Sequence, residues 1–384
     1  MVYLTDQTKA GGIDLMGAIE GLAASGGPGP FRQVFDLTRL VLGRQGVRPE
    51  EYFTYALWRE DRGRAFLKGF VPNRRTRAFN TSLHMPARGL ANAILNDKPR
   101  TESVLAARGL PVTRTLAIYL PAPDPSLSAL SDLRQLTSTA EIAAFLSDAA
   151  NLPVFGKPRS DSFARGAAMI EARVGADQLL FLNGKTAPIA GLAAEIAADW
   201  SRGYLFQPFY QCETGLRRHV GAAMASVRIV TLWTARGVEP WYAVIRLPSK
   251  SAMHDGDVGE TRIWGLIDLA SGRITRLRSL RDPLGPDLIH GNDPDSPFLG
   301  YALPHWKQAV QNCLAGHEHF PGHGILGWDV FLTDAGALLN EANANPGHVY
   351  QVAAQRPLLN EDLRPAYDRA LAFARRYGGG QTSL

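Results

Sequence analysis

Cysteine is nearly absent: Cys212 and Cys313 are the only two in 384 residues. Neither a disulfide scaffold nor a cysteine-built zinc centre is expected from so few. No run of about 18 apolar residues occurs, so a membrane span is not expected either. Residues 1–12 show no basic flank followed by an apolar stretch, which argues against a secretory signal and for a cytoplasmic location. A GxxxxGK[ST] phosphate loop is missing, as are internal repeats and low-complexity segments. Lysine is scarce as well. Of 41 basic residues only seven are lysine: Lys9, Lys68, Lys98, Lys157, Lys185, Lys250 and Lys307. Arginine carries the surface cations, which singles out the few lysines for tasks that suit a compact ammonium. The excess of +5 is scattered. Its densest groups, Arg74-Arg75-Thr76-Arg77 and Arg217-Arg218, form no stripe, and nucleic acid is not an expected partner.

What remains is a globular balance, with 45% hydrophobic and 20% charged residues, and a length that suits two or three subdomains. Residues 1–95 read as helices and turns. Apolar residues recur at helical spacing over 31–41, and Pro49 sits where a helix begins. A short helix ends near Ala107. Residues 115–120 are β-like, and 126–150 read as helical with a capping-type opening at Ser138-Thr139-Ala140-Glu141. A strand follows over 151–158 and a helix over 188–200. From 204 to 343 the pattern is mainly β, with hairpins turning at Arg236-Gly237-Val238-Glu239, Ser271-Gly272 and Asp334-Ala335-Gly336. A helix at 304–315 interrupts this series, and an amphipathic helix over 363–376 ends it. The expected divisions are 1–95, 96–203 and 204–384.

The last hairpin carries the clearest chemistry. A three-residue turn, Asp334-Ala335-Gly336, sets Thr333 opposite Ala337 and, counting outward, Asp329 opposite Glu341. Asn343 lies two residues further and points to the same face. Facing carboxylates repel, and a divalent cation removes the conflict. Two carboxylates and an amide oxygen suit Mg²⁺. A one-residue change of register would instead send the acids to opposite faces.

Several separated segments together resemble the ATP-grasp superfamily, and within it the sugar-transfer-associated branch. They are Asn96-Asp97-Lys98, Pro153-Val154-Phe155-Gly156-Lys157-Pro158, Leu205-Phe206-Gln207-Pro208-Phe209, Ser226-Val227-Arg228-Ile229-Val230-Thr231-Leu232, and Gly327-Trp328-Asp329 through Glu341-Ala342-Asn343-Ala344-Asn345-Pro346-Gly347. The segments Pro294-Asp295-Ser296-Pro297-Phe298 and Ala302-Leu303-Pro304-His305-Trp306 resemble that branch too. The resemblance implies an α+β ATP-grasp fold, in which two lobes enclose ATP, here with a mainly helical N-terminal region.

It also implies roles. Lys98 and Lys157 match the lysines that approach the phosphates. Gln207, Pro208 and Tyr210 match the adenine linker, where the Pro208 carbonyl can accept and the Tyr210 N–H can donate. Glu213 is a candidate for the ribose hydroxyls, and a solvated acid is the alternative. Arg228 matches the arginine that faces the phosphoryl group, and a structural ion pair is the alternative. Asp329, Glu341 and Asn343 match the magnesium ligands. The phosphate-covering loop departs from the pattern: Arg159-Ser160-Asp161-Ser162-Phe163-Ala164-Arg165-Gly166 holds one glycine. Ser160 and Ser162 with backbone amides are its candidate phosphate contacts.

The group His317-Glu318-His319 with His323 invites a zinc reading. It lies in a helix-end loop, which denies His319 and His323 the helical HxxxH geometry, and it lacks an acidic partner at the right offset, so none is expected. His254-Asp255-Gly256-Asp257 lacks the spaced acids of a calcium loop and reads as a loop near the acceptor. The expected function is ATP-dependent ligation of a small-molecule carboxylate to an amine, with Mg²⁺, in polysaccharide or cell-envelope modification. A kinase on the same scaffold and a non-catalytic nucleotide-binding accessory protein are the alternatives.

Overall fold

The chain was analysed as a computed structural model that describes residues 3–4, 14–43, 46–127, 133–159, 166–248, 263–279 and 285–378. Ser160, Ser162 and the segment around His254 lie outside the described residues.

Thirteen strands among the described residues form two sheets. In chain order they are β1 (Ala117–Tyr119), β2 (Arg134–Leu136), β3 (Val154–Pro158), β4 (Ala168–Val174), β5 (Gln178–Phe181), β6 (Thr186–Pro188), β7 (Tyr204–Pro208), β8 (Ser226–Thr234), β9 (Gly237–Arg246), β10 (Ile263–Ile267), β11 (Ile274–Ser279), β12 (Ile325–Thr333) and β13 (Gly336–Asn343).

The first sheet has the order β2-β1-β7-β3-β4-β5-β6. Its one parallel pair is β1 with β2. Helices Thr139–Ser147 and Ile189–Asp199 pack Ile142, Phe145, Leu146, Leu192 and Ile196 against it. The first of these begins as its sequence asks. The Ser138 side chain accepts from the Glu141 N–H at 3.2 Å, and Glu141 returns the contact to the Ser138 N–H. The strand expected to open the second lobe, β7, lies in this first sheet, between β1 and β3. The chain therefore leaves the first sheet after Pro208, five residues past the division expected at residue 203.

The second sheet is antiparallel throughout, in the order β11-β10-β9-β8-β12-β13. One face packs on helix Trp306–Glu318 through Val227, Ile229, Ala309, Cys313 and Trp328. The other face carries Val230, Leu232 and Tyr242 against Tyr367 and Ala370 of helix Arg364–Arg376 and Phe79 and Leu83 of helix Asn73–Leu83. Because both faces bury apolar side chains, β8 and β12 read as nearly continuous apolar runs. The N-terminal region is helical as expected, with Pro30 and Pro49 each at a helix start.

The edge strand β13 joins the sheets. The Leu339 N–H donates to the Pro111 carbonyl at 2.9 Å, and the Thr113 N–H donates to the Leu339 carbonyl at 3.0 Å. Residues 111–113 thus run beside β13 and lead directly into β1, so a cleft opens between the two sheets at this edge.

Candidate functional site

Arg228, Asp329 and Glu341 lie in one row across the second sheet. Arg228 pairs with Asp329 across β8 and β12, and Asp329 pairs with Glu341 across β12 and β13. The expected facing of the two acids is present, but the expected route to it is not. Thr333 faces Gly336, so the turn has two central residues, Asp334 and Ala335, and not three. Gly336 takes φ 122°, a backbone region that only glycine enters freely. Continued without interruption, this register would place Asn340 opposite Asp329. A bulge between Asp329 and Val330 restores the acid pair: Val330 faces Leu339, Asp329 faces Glu341, and Asn340 is the extra residue.

The bulge re-aims Asn340. Its Oδ1 accepts from Lys157 Nζ at 3.1 Å and from Thr113 Oγ1 at 3.2 Å. Asn340 and Glu341, consecutive in the chain, both line one small cavity with Gln207 and Lys98. Sequence reasoning missed Asn340, because period-2 alternation assigns it to the opposite face.

Arg228 donates through Nε to Asp329 Oδ1 at 2.6 Å and through Nη2 to Oδ2 at 2.8 Å. Burial disfavours the guanidinium charge, but the facing Asp329 carboxylate more than offsets this and holds the Arg228 pKa above the ordinary arginine value. The structural ion pair weighed for Arg228 is thus present, and it sits in the same row as the proposed metal ligands. Each carboxylate offers about four lone-pair positions, so Asp329 can meet Arg228 and a cation together. Asn343 ends β13 opposite Gly327. Two facing carboxylates and an amide oxygen form a hard oxygen donor set that fits Mg²⁺.

Both expected phosphate lysines reach this edge. Lys98 opens helix Lys98–Ala106. Its Nζ lies 3.3 Å from the Arg159 carbonyl and 4.0 Å from Glu341 Oε2. Lys157 is buried on β3. Between them stands an ion pair that the sequence reading did not use: Arg159 binds Asp97 through Nε at 3.2 Å and Nη2 at 2.5 Å.

Gln207 is buried, and its Nε2 donates to Thr115 Oγ1 at 3.3 Å. Thr115 in turn donates its N–H and hydroxyl to Glu102 at 2.8 and 2.6 Å. Burial raises the Glu102 pKa against the lowering effect of these bonds and of Lys157. Pro208 ends β7 beside Val154. The Tyr210 hydroxyl accepts from the Arg114 N–H at 2.9 Å, which ties the linker to the chain entering β1. Glu213 caps helix Thr214–Val220, accepting from the Leu216 N–H at 2.9 Å.

Of the histidines that suggested zinc, His317 and His323 are buried in the core. His317 Nε2 lies 2.7 Å from the His323 carbonyl, so it donates there. Its Nδ1 then accepts from the Thr231 hydroxyl at 2.8 Å, which requires a neutral ring. Burial pushes its pKa down to about 3.

Beyond Glu341 and Asn343 the cleft widens to about 410 Å³, lined by Lys98, Asn343 and Asn345 and by Arg77, His84 and Arg88 of the N-terminal region. Among the described residues no helix is long and apolar enough to cross a membrane.

Comparison with known proteins agrees with the motifs. Residues 189–364 match the family described as sugar-transfer associated ATP-grasp. No curated protein matches the chain. Among solved structures, a D-Ala:D-Ser ligase from Enterococcus faecalis is 13% identical, with a TM-score of 0.41, over 75% of this chain and 63% of its own. A D-alanine-D-alanine ligase from Coxiella burnetii is 15% identical, with a TM-score of 0.38, over 76% and 60%. Biotin carboxylase from Campylobacter jejuni is 10% identical, with a TM-score of 0.44, over 75% and 48%. The chain thus spans less than two thirds of the length of each of these structures.

Proposed function

Because residues 189–364 match the family described as sugar-transfer associated ATP-grasp and the chain has an α+β fold with two sheets, we propose that the protein is an ATP-dependent ligase that joins a small carboxylate to an amine through an acyl phosphate. One observation carries the proposal: Lys98, Lys157 and Arg228 converge on the edge where Asp329 faces Glu341. Two anions, a carboxylate and a nucleotide phosphate, must meet in such a reaction, and cations fixed in advance lower that barrier.

The substrate carboxylate attacks the γ-phosphorus of ATP. The bond to the bridging oxygen breaks, and ADP leaves with that electron pair. The amine then attacks the acyl carbon and phosphate departs. Lys98 and Lys157 hold phosphate oxygens, with Ser160 and Ser162 as further candidate contacts. Arg228, oriented by Asp329, offsets charge on the transferred group. Asp329, Glu341 and Asn343 hold Mg²⁺, which supplies positive charge to the phosphate oxygens when bound. Adenine rests against the Gln207-Pro208 segment and the Tyr210 N–H. The Glu213 carboxylate oxygen not engaged in the helix cap is offered to the ribose. In this reading residues 1–95 complete the acceptor side, 96–203 together with strand β7 form the first lobe, and the chain after Pro208 forms the second. The family description adds a link to sugar transfer, and polysaccharide or cell-envelope modification is the setting that link suggests.

No covalent enzyme nucleophile is needed, in keeping with the lack of a Ser/His/Asp or Cys/His motif. The test is acceptor-dependent ADP release over a panel of carboxylates, with the amide identified by mass spectrometry. Release should need Mg²⁺ and fall at least about 100-fold in Glu341→Gln. Undiminished turnover in that variant would remove the metal assignment. A stable phosphoester product would replace the ligase by a kinase.

A further inference from the structure

The wide end of the cleft carries charge that the nucleotide reading does not use. Arg77 and Thr81 are one turn apart on helix Asn73–Leu83, so they share a face. Both line the cleft, as does Arg88 at the end of the turn Pro86–Arg88. Lys98, Glu341 and Asn343 line the same space. The charged lining residues are three cations, Arg77, Arg88 and Lys98, against the single carboxylate of Glu341. That carboxylate lies beside Lys98 at 4.0 Å. Among the described residues neither Arg77 nor Arg88 forms an ion pair, although arginines elsewhere do: Arg159 with Asp97, Arg228 with Asp329, Arg276 with Asp287 and Arg369 with Glu239.

Most of the remaining lining is polar and uncharged, with Leu95, Ala342 and Ala344 as its apolar part. Asn92 and Asn96 contribute amides from the N-terminal side. Asn345 is held in place by the Asn80 Nδ2 donor at 2.7 Å. His84 is not available as a ligand: its Nε2 meets the Ala344 carbonyl at 2.8 Å, and its Nδ1 receives the Gly324 N–H. Two guanidiniums without a counter-charge, facing an oxygen-rich and nitrogen-rich wall, match a planar anion that accepts paired N–H donors. An apolar acceptor would leave these groups without partners.

We propose that Arg77 and Arg88 form a second anion subsite, so that the acceptor is a small polar molecule with an anionic group besides its reacting carboxylate. This rests on the ligase reading for the position of the reacting carboxylate, beside the Glu341 and Asn343 edge. The volume of about 410 Å³ admits a compact metabolite. Because the two arginines come from the N-terminal helices, specificity for the acceptor is supplied outside residues 189–364, the span shared with the family.

The test is calorimetric titration of the full chain, saturated with Mg-ADP, with three probes: succinate, its single-charge counterpart butyrate, and 3-phosphoglycerate. Succinate or 3-phosphoglycerate should bind at least tenfold more tightly than butyrate. The preference should vanish in Arg77→Gln/Arg88→Gln, with Mg-ADP affinity within twofold of the parent. Arg77→Lys/Arg88→Lys should restore part of it. Equal binding of succinate, 3-phosphoglycerate and butyrate, absence of binding by all three, or a preference that survives in the glutamine variant would each overturn the subsite. Failure of the parent protein to bind Mg-ADP would count against the ligase reading alone. The titration without nucleotide would then decide the subsite.

Discussion

Arg159 grips Asp97 with two nitrogens, at 3.2 and 2.5 Å, and so joins the two chain segments that carry Lys98 and Lys157. Asp97 precedes Lys98 at the start of its helix, and Arg159 follows Lys157 by two residues. The pair is nearly shielded, at 15% and 13% side-chain exposure. It fixes the segments that carry two like-charged ammonium groups before any phosphate arrives to neutralise them.

Asp97→Asn should therefore act on both stability and nucleotide use. Losing the closer of the two carboxylates beside a shielded arginine, with Asp124 left at 3.5 Å, should cost about 2 kcal/mol, read as a lowered urea midpoint. The KM for Mg-ATP should rise about tenfold, while kcat changes less, because the substitution loosens binding and leaves Arg228 in place. An unchanged KM would show that Lys98 is positioned without the clamp.

Local pattern disclosed much of this molecule. The hairpins β8–β9, β10–β11 and β12–β13 were legible because runs rich in apolar, β-branched and aromatic residues flank turns that carry glycine, and the Ser138 capping box marked its helix. β2 was not legible. It is a three-residue strand paired only with β1, and the surrounding residues read as helix. The short strands β4 to β6 escaped because Glu171 and Arg173 interrupt the apolar pattern, and helix Thr214–Val220 lay within a region that reads as β. In the site, the hairpin count pointed to Asp329 and Glu341, and the family resemblance pointed to Lys98, Lys157 and Arg228. Asn340 and the Asp97–Arg159 pair were invisible, since a bulge and a contact across 62 residues are set by partners far away in the chain.

The bulge gives a direct test of Asn340. Asn340→Ala removes the acceptor for Lys157 Nζ and for the Thr113 hydroxyl but leaves Glu341 opposite Asp329. Stability should fall by about 1–2 kcal/mol. The KM for Mg-ATP should rise several-fold, and the Mg²⁺ concentration for half-maximal ADP release should stay within twofold. A large change in Mg²⁺ dependence would mean that Asn340 serves the metal edge and not Lys157.

The Arg228–Asp329 pair should show strong coupling. Arg228→Met leaves Asp329 without its partner and should cost about 3–5 kcal/mol, as should Asp329→Leu. The double variant should cost clearly less than the two combined, because no charge is then left unpaired. A double-mutant cycle by urea denaturation measures this, and additive losses would contradict the pairing.

The core histidines set an acid limit on stability. Burial, assisted by the neighbouring arginines at His84 and His348, pushes the pKa of His84, His317 and His348 down to about 3 and that of His323 to about 4. Each is neutral in the folded chain, whereas an unfolded histidine takes up a proton near pH 6.5. Between about pH 6.5 and the folded value the unfolded chain binds more protons, so stability rises with pH across that window. Conversely, lowering the pH from about 6.5 toward 4 should weaken the fold before most carboxylates titrate. Each such histidine adds up to about 1.4 kcal/mol per pH unit to the slope. His317→Gln keeps an amide donor for the His323 carbonyl and cannot titrate. It should flatten the slope between pH 6 and 4.5 by about one proton's worth, measured by urea denaturation at a series of pH values. An unchanged slope would mean that His317 is already charged in the fold, against the hydrogen bonds it makes with Thr231 and His323.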